Sequence, residues 1–155
     1  MAKLIKYRFC IFILILILGI FYRVKPLFVR GMWVDEVCVF YLSQLPLKKI
    51  ILMDHWDQAH PQFVYMLMHF WQKISTNLVF LRLPSLMFGI ASIVLVYLIT
   101  KSFRNISFAL LSTALFSIAT WFIGFSFQFK TYSLVIFLIL SSIYFILKFF
   151  SSGKK

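Results

Sequence analysis

Four long apolar runs leave this chain few ways to fold. They cover residues 8–28, 83–100, 106–125 and 131–147, each near the ~20 residues that an α-helix needs to cross a bilayer. Of the 155 residues, 63% are hydrophobic and the mean hydropathy is +0.96, which excludes a soluble globule. Backbone polar groups in hydrocarbon must be satisfied within the segment, so runs of this length are helical. We expect one all-α domain over residues 1–155, a polytopic membrane bundle of four transmembrane helices.

The basic residues predict how these spans are oriented. The formal net charge is +12, from 16 Lys and Arg against 4 Asp and Glu. In a soluble protein this balance would suggest nucleic acid, but the apolar content argues against that partner. Cations gather before the first run, between the second and third runs, and after the fourth: Lys3, Lys6, Arg8, Lys101, Arg104, Lys148, Lys154 and Lys155. The positive-inside rule then predicts a multi-pass protein of the cytoplasmic membrane with both termini cytoplasmic.

The segment 29–82 becomes an outer loop in this topology, and part of it is amphipathic. Four polar residues between positions 61 and 76 recur at helical intervals: Gln62, His69, Gln72 and Thr76. Such a helix is better suited to lying in the membrane surface than to crossing it. We therefore expect interfacial helices within this loop.

The four carboxylates of the chain all fall in that loop, at Asp35, Glu36, Asp54 and Asp57. A carboxylate near hydrocarbon is costly unless it is paired or functional. Asp35 is either a general base that takes a proton from a hydroxyl or a solvated acid that caps a juxtamembrane helix. Asp54, Asp57 and His60 are spaced to share a helix face, which makes a weak candidate for a divalent metal site. No zinc spacing is present, so we expect no required cofactor and leave a divalent metal open.

Two cations lie where an anion could be bound at the outer surface. Arg82 opens the second span, and Lys130 follows the third span in a second outer loop. Either cation could contact a substrate phosphate or a lipid headgroup, and the residues themselves do not decide between them.

The order of motifs resembles the N-terminal part of the GT-C superfamily of polytopic glycosyltransferases. It is most similar to the protein mannosyltransferases that use dolichyl-phosphate mannose and to bacterial lipopolysaccharide core glycosyltransferases. Those families carry, in order, an outer-loop Asp-Glu, a His-Pro-Pro-Leu-Tyr-Tyr, a His-Phe-Trp, an Arg-Leu-Pro-Ser and a Tyr-Ser-Gln-Glu-Ala-Arg-x-Tyr. The corresponding segments here begin at Asp35, His60, His69, Arg82 and Phe125. The chain departs from the pattern at Gln62 for Pro, Gln128 for Glu and Lys130 for Arg.

The resemblance implies transfer of a sugar from a polyprenyl-phosphate donor to an extracytoplasmic lipid or glycan hydroxyl. Asp35 would be the catalytic base, and Arg82 and Lys130 would stabilise the leaving phosphate. The residues expected to complete the substrate site are Glu36, His60, Gln128 and Tyr132. Family members are several times longer, so we expect a front module, with membrane lipids and a second membrane chain that supplies further spans as candidate partners.

Two other functional classes stay open. One is a non-catalytic membrane subunit or vestigial fragment that binds lipid phosphate or a partner chain; the Gln128 and Lys130 departures favour it. The other is a small four-span transporter, which the near absence of charge within the spans disfavours.

Overall fold

The computed structural model describes residues 2–52, 61–103 and 105–152, and for residues 2–5 it describes the backbone. This part of the chain is all-helical, which confirms the predicted fold class. The helices are α1 (Ala2–Val29), α2 (Val34–Leu42), α3 (Leu47–Ile51), α4 (Gln62–Trp71), α5 (Leu78–Phe103), α6 (Ile106–Ile118), α7 (Thr120–Ser126) and α8 (Tyr132–Ser152).

Three helices are long and apolar enough to cross a membrane. They are Lys6–Val29 within α1, all of α5 and all of α8, and they correspond to the first, second and fourth predicted spans. The predicted third span is divided into α6 and α7, which meet at a bend of 62°. Ala119 lies at the bend with an extended backbone, φ −64° and ψ 116°. The chain is thus an integral membrane protein with three candidate spans, or four if the bent pair counts as one.

Helix α5 is central, because it contacts α1, α6, α7 and α8. Small residues let these helices approach closely, as is usual where lipid replaces water. A Cβ added at Gly89 of α5 would lie 2.1 Å from Ser126 Oγ, and one added at Gly19 of α1 would lie 2.8 Å from Ile93 Cδ1. Side chains larger than glycine would therefore push α7 and α1 away from α5.

The short helices α2, α3 and α4 pack together at one end of the bundle, which we call the capped end. Their buried apolar residues form one cluster with the start of α5 and with the segment before α8: Val39, Ile50, Val64, Tyr65, Met68, Leu81 and Phe129. The capped end includes the C-terminus of α1 and the N-termini of α5 and α8. The opposite end holds the C-termini of α5 and α8.

The amphipathic segment predicted over 61–76 forms α4, which begins after Pro61 and ends at Trp71. Ten residues rise about 15 Å, half of the ~30 Å hydrocarbon core, so α4 is too short to cross. Part of its polar stripe contacts protein: His69 Nδ1 lies 2.9 Å from the carbonyl of Ser43, and Gln72 donates to Ser43 Oγ at 3.2 Å. The stripe therefore fastens α4 to the C-terminus of α2.

Candidate functional site

Glu36 and Arg82 form a closed ion pair at the capped end. Both side chains are fully buried. Arg82 Nε donates to Glu36 Oε1 at 3.0 Å, and Arg82 Nη2 donates to Oε2 at 2.7 Å, so the contact is bidentate. Arg82 also donates to the backbone carbonyls of Arg30 and Gly31, both at 2.8 Å. The guanidinium therefore fixes the end of α1 to the start of α5.

The two oxygens of Glu36 also accept backbone hydrogen bonds. Oε2 accepts from the N–H of Trp33 at 3.0 Å, which caps α2, and Oε1 accepts from the N–H of Phe129 at 3.1 Å. Each oxygen thus has two donors, as a buried carboxylate requires. This one side chain joins both predicted outer loops.

Asp35, the neighbour of Glu36, lies on the exposed side of the same junction. Its carboxylate accepts a hydrogen bond from the ammonium of Lys130, and the two groups form a salt bridge. The Asp35 side chain is 60% exposed, whereas the Lys130 side chain is only 6% exposed. A partly embedded cation is therefore covered by a carboxylate that solvent and ligands can reach.

Tyr132 completes the surroundings of Lys130. The Lys130 ammonium lies 5.5 Å from the centroid of the Tyr132 ring, within the range of a cation–π contact. The ring in turn packs on Phe125 with centroids 4.8 Å apart. A tight turn shapes the segment, since the Lys130 N–H donates to the carbonyl of Gln128 at 2.8 Å. These contacts aim the Lys130 side chain at Asp35.

The cavity beside Lys130 is small. It has a volume of about 20 Å³ and lies between α4, the start of α5 and the Phe129–Thr131 segment. That is the room of roughly one water molecule. A sugar phosphate would have to approach from the exposed side, where Asp35 lies.

Five of the residues expected to act together are joined by contacts in the structure: Asp35, Glu36, Arg82, Lys130 and Tyr132. Gln128 contributes its carbonyl to the turn before Lys130 and is partly exposed. His60, Asp54 and Asp57 lie outside the described residues. Within residues 2–52, 61–103 and 105–152, no group of three His, Cys, Asp or Glu residues could hold a metal ion.

Arg23 is a buried cation that the sequence analysis did not include among the candidate site residues. It lies in α1, is fully buried, and donates to the carbonyls of Ser117 at 2.9 Å and Phe116 at 3.4 Å. These carbonyls belong to the last turn of α6, where the helix leaves its oxygens without partners. Arg23 also donates to the Gly19 carbonyl at 3.0 Å and to Ser126 Oγ at 3.2 Å. The sequence feature that could have identified Arg23 is its position inside an apolar run with no acid nearby in the sequence.

Comparisons with protein-family models, curated proteins and solved structures find no match to this chain.

Proposed function

We propose that this chain is a membrane glycosyltransferase module of the GT-C type that uses a polyprenyl-phosphate sugar as donor. The observation that carries the proposal is the contact between Asp35 and Lys130. The two residues are 95 positions apart, and the resemblance assigned them the complementary roles of base and phosphate ligand. A carboxylate and a cation side by side at the end of a helical bundle are suited to a phosphorylated amphiphile.

The proposed reaction is a direct displacement with inversion at the sugar. The acceptor hydroxyl oxygen attacks the anomeric carbon and gives its proton to the Asp35 carboxylate. The bond from the anomeric carbon to the phosphate oxygen breaks, and polyprenyl phosphate leaves with the electron pair. Lys130 stabilises the negative charge that develops on the phosphate, and donor binding moves its ammonium from Asp35 to the phosphate.

Lys130 is a better candidate than Arg82 for the phosphate contact. Four hydrogen bonds from Arg82 go to Glu36 and to backbone carbonyls, and its side chain is fully buried. In this proposal Glu36 and Arg82 position the two outer loops, and through them Asp35 and Lys130. They do not contact the substrate.

The test is transfer of labelled sugar from polyprenyl phosphate donors in membranes that contain the full chain. We expect Asp35→Asn to lower the transfer rate by at least about 100-fold, the lower range for removal of a general base. Lys130→Ala should lower it comparably, while Lys49→Ala, an exposed lysine of α3, serves as the matched control. Activity of Asp35→Asn within a few-fold of the unmodified chain would contradict the assignment, provided that insertion is equal.

A second candidate function is a non-catalytic subunit that binds lipid phosphate or a partner chain. It is favoured by the small size of the cavity beside Lys130 and by α8, whose span window is only 6% buried within this chain. The same variants separate the two candidates when sugar transfer and polyprenyl phosphate binding are both measured. A subunit without catalysis would give no transfer in any variant, yet would lose polyprenyl phosphate binding in Lys130→Ala.

We further propose that the capped end faces away from the cytosol and that the protein lies in the cytoplasmic membrane with both termini inside. Cys38 is exposed on α2, close in sequence to Asp35. In a Cys10→Ser background, a membrane-impermeant thiol reagent added outside intact cells should label Cys38. Labelling that requires access from the cytosol would reverse the orientation.

A further inference from the structure

The end of the bundle opposite the capped end carries a cavity of its own. It lies between the last turns of α5 and α8 and has a volume of about 660 Å³. Its polar lining consists of Lys101, Ser102, Tyr144, Lys148 and Ser151. This volume is within the range of about 300–1,000 Å³ that is usual for sites of small molecules.

The two lysines of this cavity face no protein carboxylate in the described part of the chain. There, the carboxylates are Asp35 and Glu36, and both are paired with cations at the capped end. Lys101 contacts the Tyr97 ring at 5.6 Å, which is a weak interaction at an exposed position. Two lysines from two neighbouring helices therefore line one opening, and none of the described residues supplies a counter-charge there.

The remaining lining of the cavity is apolar. It is formed by Leu98, Phe103, Leu147 and Phe150. The cavity also lies where two candidate spans end, which is the level at which lipid headgroups meet hydrocarbon. A cavity lined by two lysines and by apolar side chains matches an amphiphile whose phosphate meets the lysines and whose acyl chain contacts the apolar lining.

We infer that this cavity binds the headgroup of an anionic phospholipid between α5 and α8. A soluble phosphate would satisfy the lysines but would leave the apolar lining uncovered. A zwitterionic lipid would cover the lining but would bring no net charge. The site is separate from the proposed transfer site and does not depend on the proposed transferase function.

The test uses the purified full chain, equilibrated with mixed micelles of phosphatidylcholine and phosphatidylglycerol and examined by native mass spectrometry. Each basic residue near an anionic lipid contributes roughly fivefold in affinity, so two should give a roughly 30-fold preference for phosphatidylglycerol. We expect Lys101→Ala with Lys148→Ala to abolish this preference. The matched control is Lys48→Ala with Lys49→Ala, which removes two exposed lysines of α3 at the capped end.

A second variant distinguishes a built cavity from diffuse attraction by surface charge. Ser151→Trp places an indole in the cavity and keeps both lysines, so it should obstruct the headgroup and reduce phosphatidylglycerol retention. Unchanged retention in this variant, or equal losses in the two double-lysine variants, would overturn the inference. Displacement of the lipid by millimolar inorganic phosphate would also overturn it, because the cavity would then be a site for a soluble anion.

Discussion

Arg23 and Arg82 are both fully buried on membrane-spanning helices, yet they are held by different kinds of partner. Arg82 meets a carboxylate, Glu36, in a bidentate pair. The hydrogen bonds of Arg23 go to three backbone carbonyls and one hydroxyl, with no carboxylate among them. The comparison indicates two solutions for a cation in an apolar bundle. One neutralises the charge and fixes loops, and the other uses the oxygens that a broken helix leaves unpaired.

The largest effect should come from breaking the neutral pair. Glu36→Gln preserves the shape of the side chain but replaces one of its two acceptor oxygens by an N–H₂ group. That group would point at the two N–H donors that the lost oxygen accepts from in the unmodified chain. Arg82 would then be a buried charge without a counter-charge. We expect a loss of about 3–5 kcal/mol in the free energy of unfolding, measured by titration from mild detergent into dodecyl sulfate.

The matched control for Glu36→Gln is Asp35→Asn, the same chemical change one residue earlier. Because the Asp35 side chain is 60% exposed, solvent screens its pair with the mostly buried Lys130, and its loss should cost about 1–2 kcal/mol, less than Glu36→Gln. Equal effects of the two variants would mean that burial of the Glu36–Arg82 pair does not determine its contribution.

A smaller effect should follow when the carbonyl-bound arginine is removed. Arg23→Met leaves the carbonyls of Phe116 and Ser117 without their donor, but it also removes an unneutralised charge from the interior. The two consequences oppose each other, so we expect a net loss of about 2 kcal/mol in the same titration. Lys25→Met, an exposed cation of the same helix, is the control. A loss from Arg23→Met that equals or exceeds that from Glu36→Gln would contradict the distinction between the two arginines.

The smallest effect concerns a single acceptor of Arg23. Ser126 and Ser142 both donate to the carbonyl four residues earlier, at 2.7 and 2.9 Å, but only Ser126 also accepts from Arg23. Ser126→Ala should cost about 1 kcal/mol more than Ser142→Ala. In the Arg23→Met background this difference should vanish, because the two side chains are coupled. A difference that persists there would place the effect of Ser126 in helix packing.

The sequence predicts the spans well, because hydrophobic length is a local property. It places helices over α1, α5 and α8 and an amphipathic helix over α4. It does not predict the break at Ala119, since the residues around it are as apolar as the rest of the run and include no proline. The break becomes intelligible only with Arg23, which lies 94 positions before Ser117 and satisfies its carbonyl.

The sequence predicts which residues belong to the candidate site better than it predicts how those residues are arranged. Composition singles out Asp35 and Glu36, and the cost of burying a carboxylate requires that some be paired. Which cation meets which acid depends on how two distant loops pack, and no local pattern carries that information. The resemblance grouped Glu36 and Arg82 with the substrate contacts; that assignment is untested, and our proposal gives both residues a positioning role instead. Their pairing with each other and their complete burial depend on the tertiary structure and could not be predicted from local sequence.

Phe129 donates its backbone N–H to Glu36 from 93 positions further along the chain, and this has a consequence for biosynthesis. The ribosome synthesises Glu36 first, Arg82 later and Phe129 only after α7. Until then the glutamate lacks one of its donors, so the cap over the site cannot close before the segment that follows α7 has been made. A nascent protein without Phe129 would therefore carry Glu36 with one of its four hydrogen-bond donors missing.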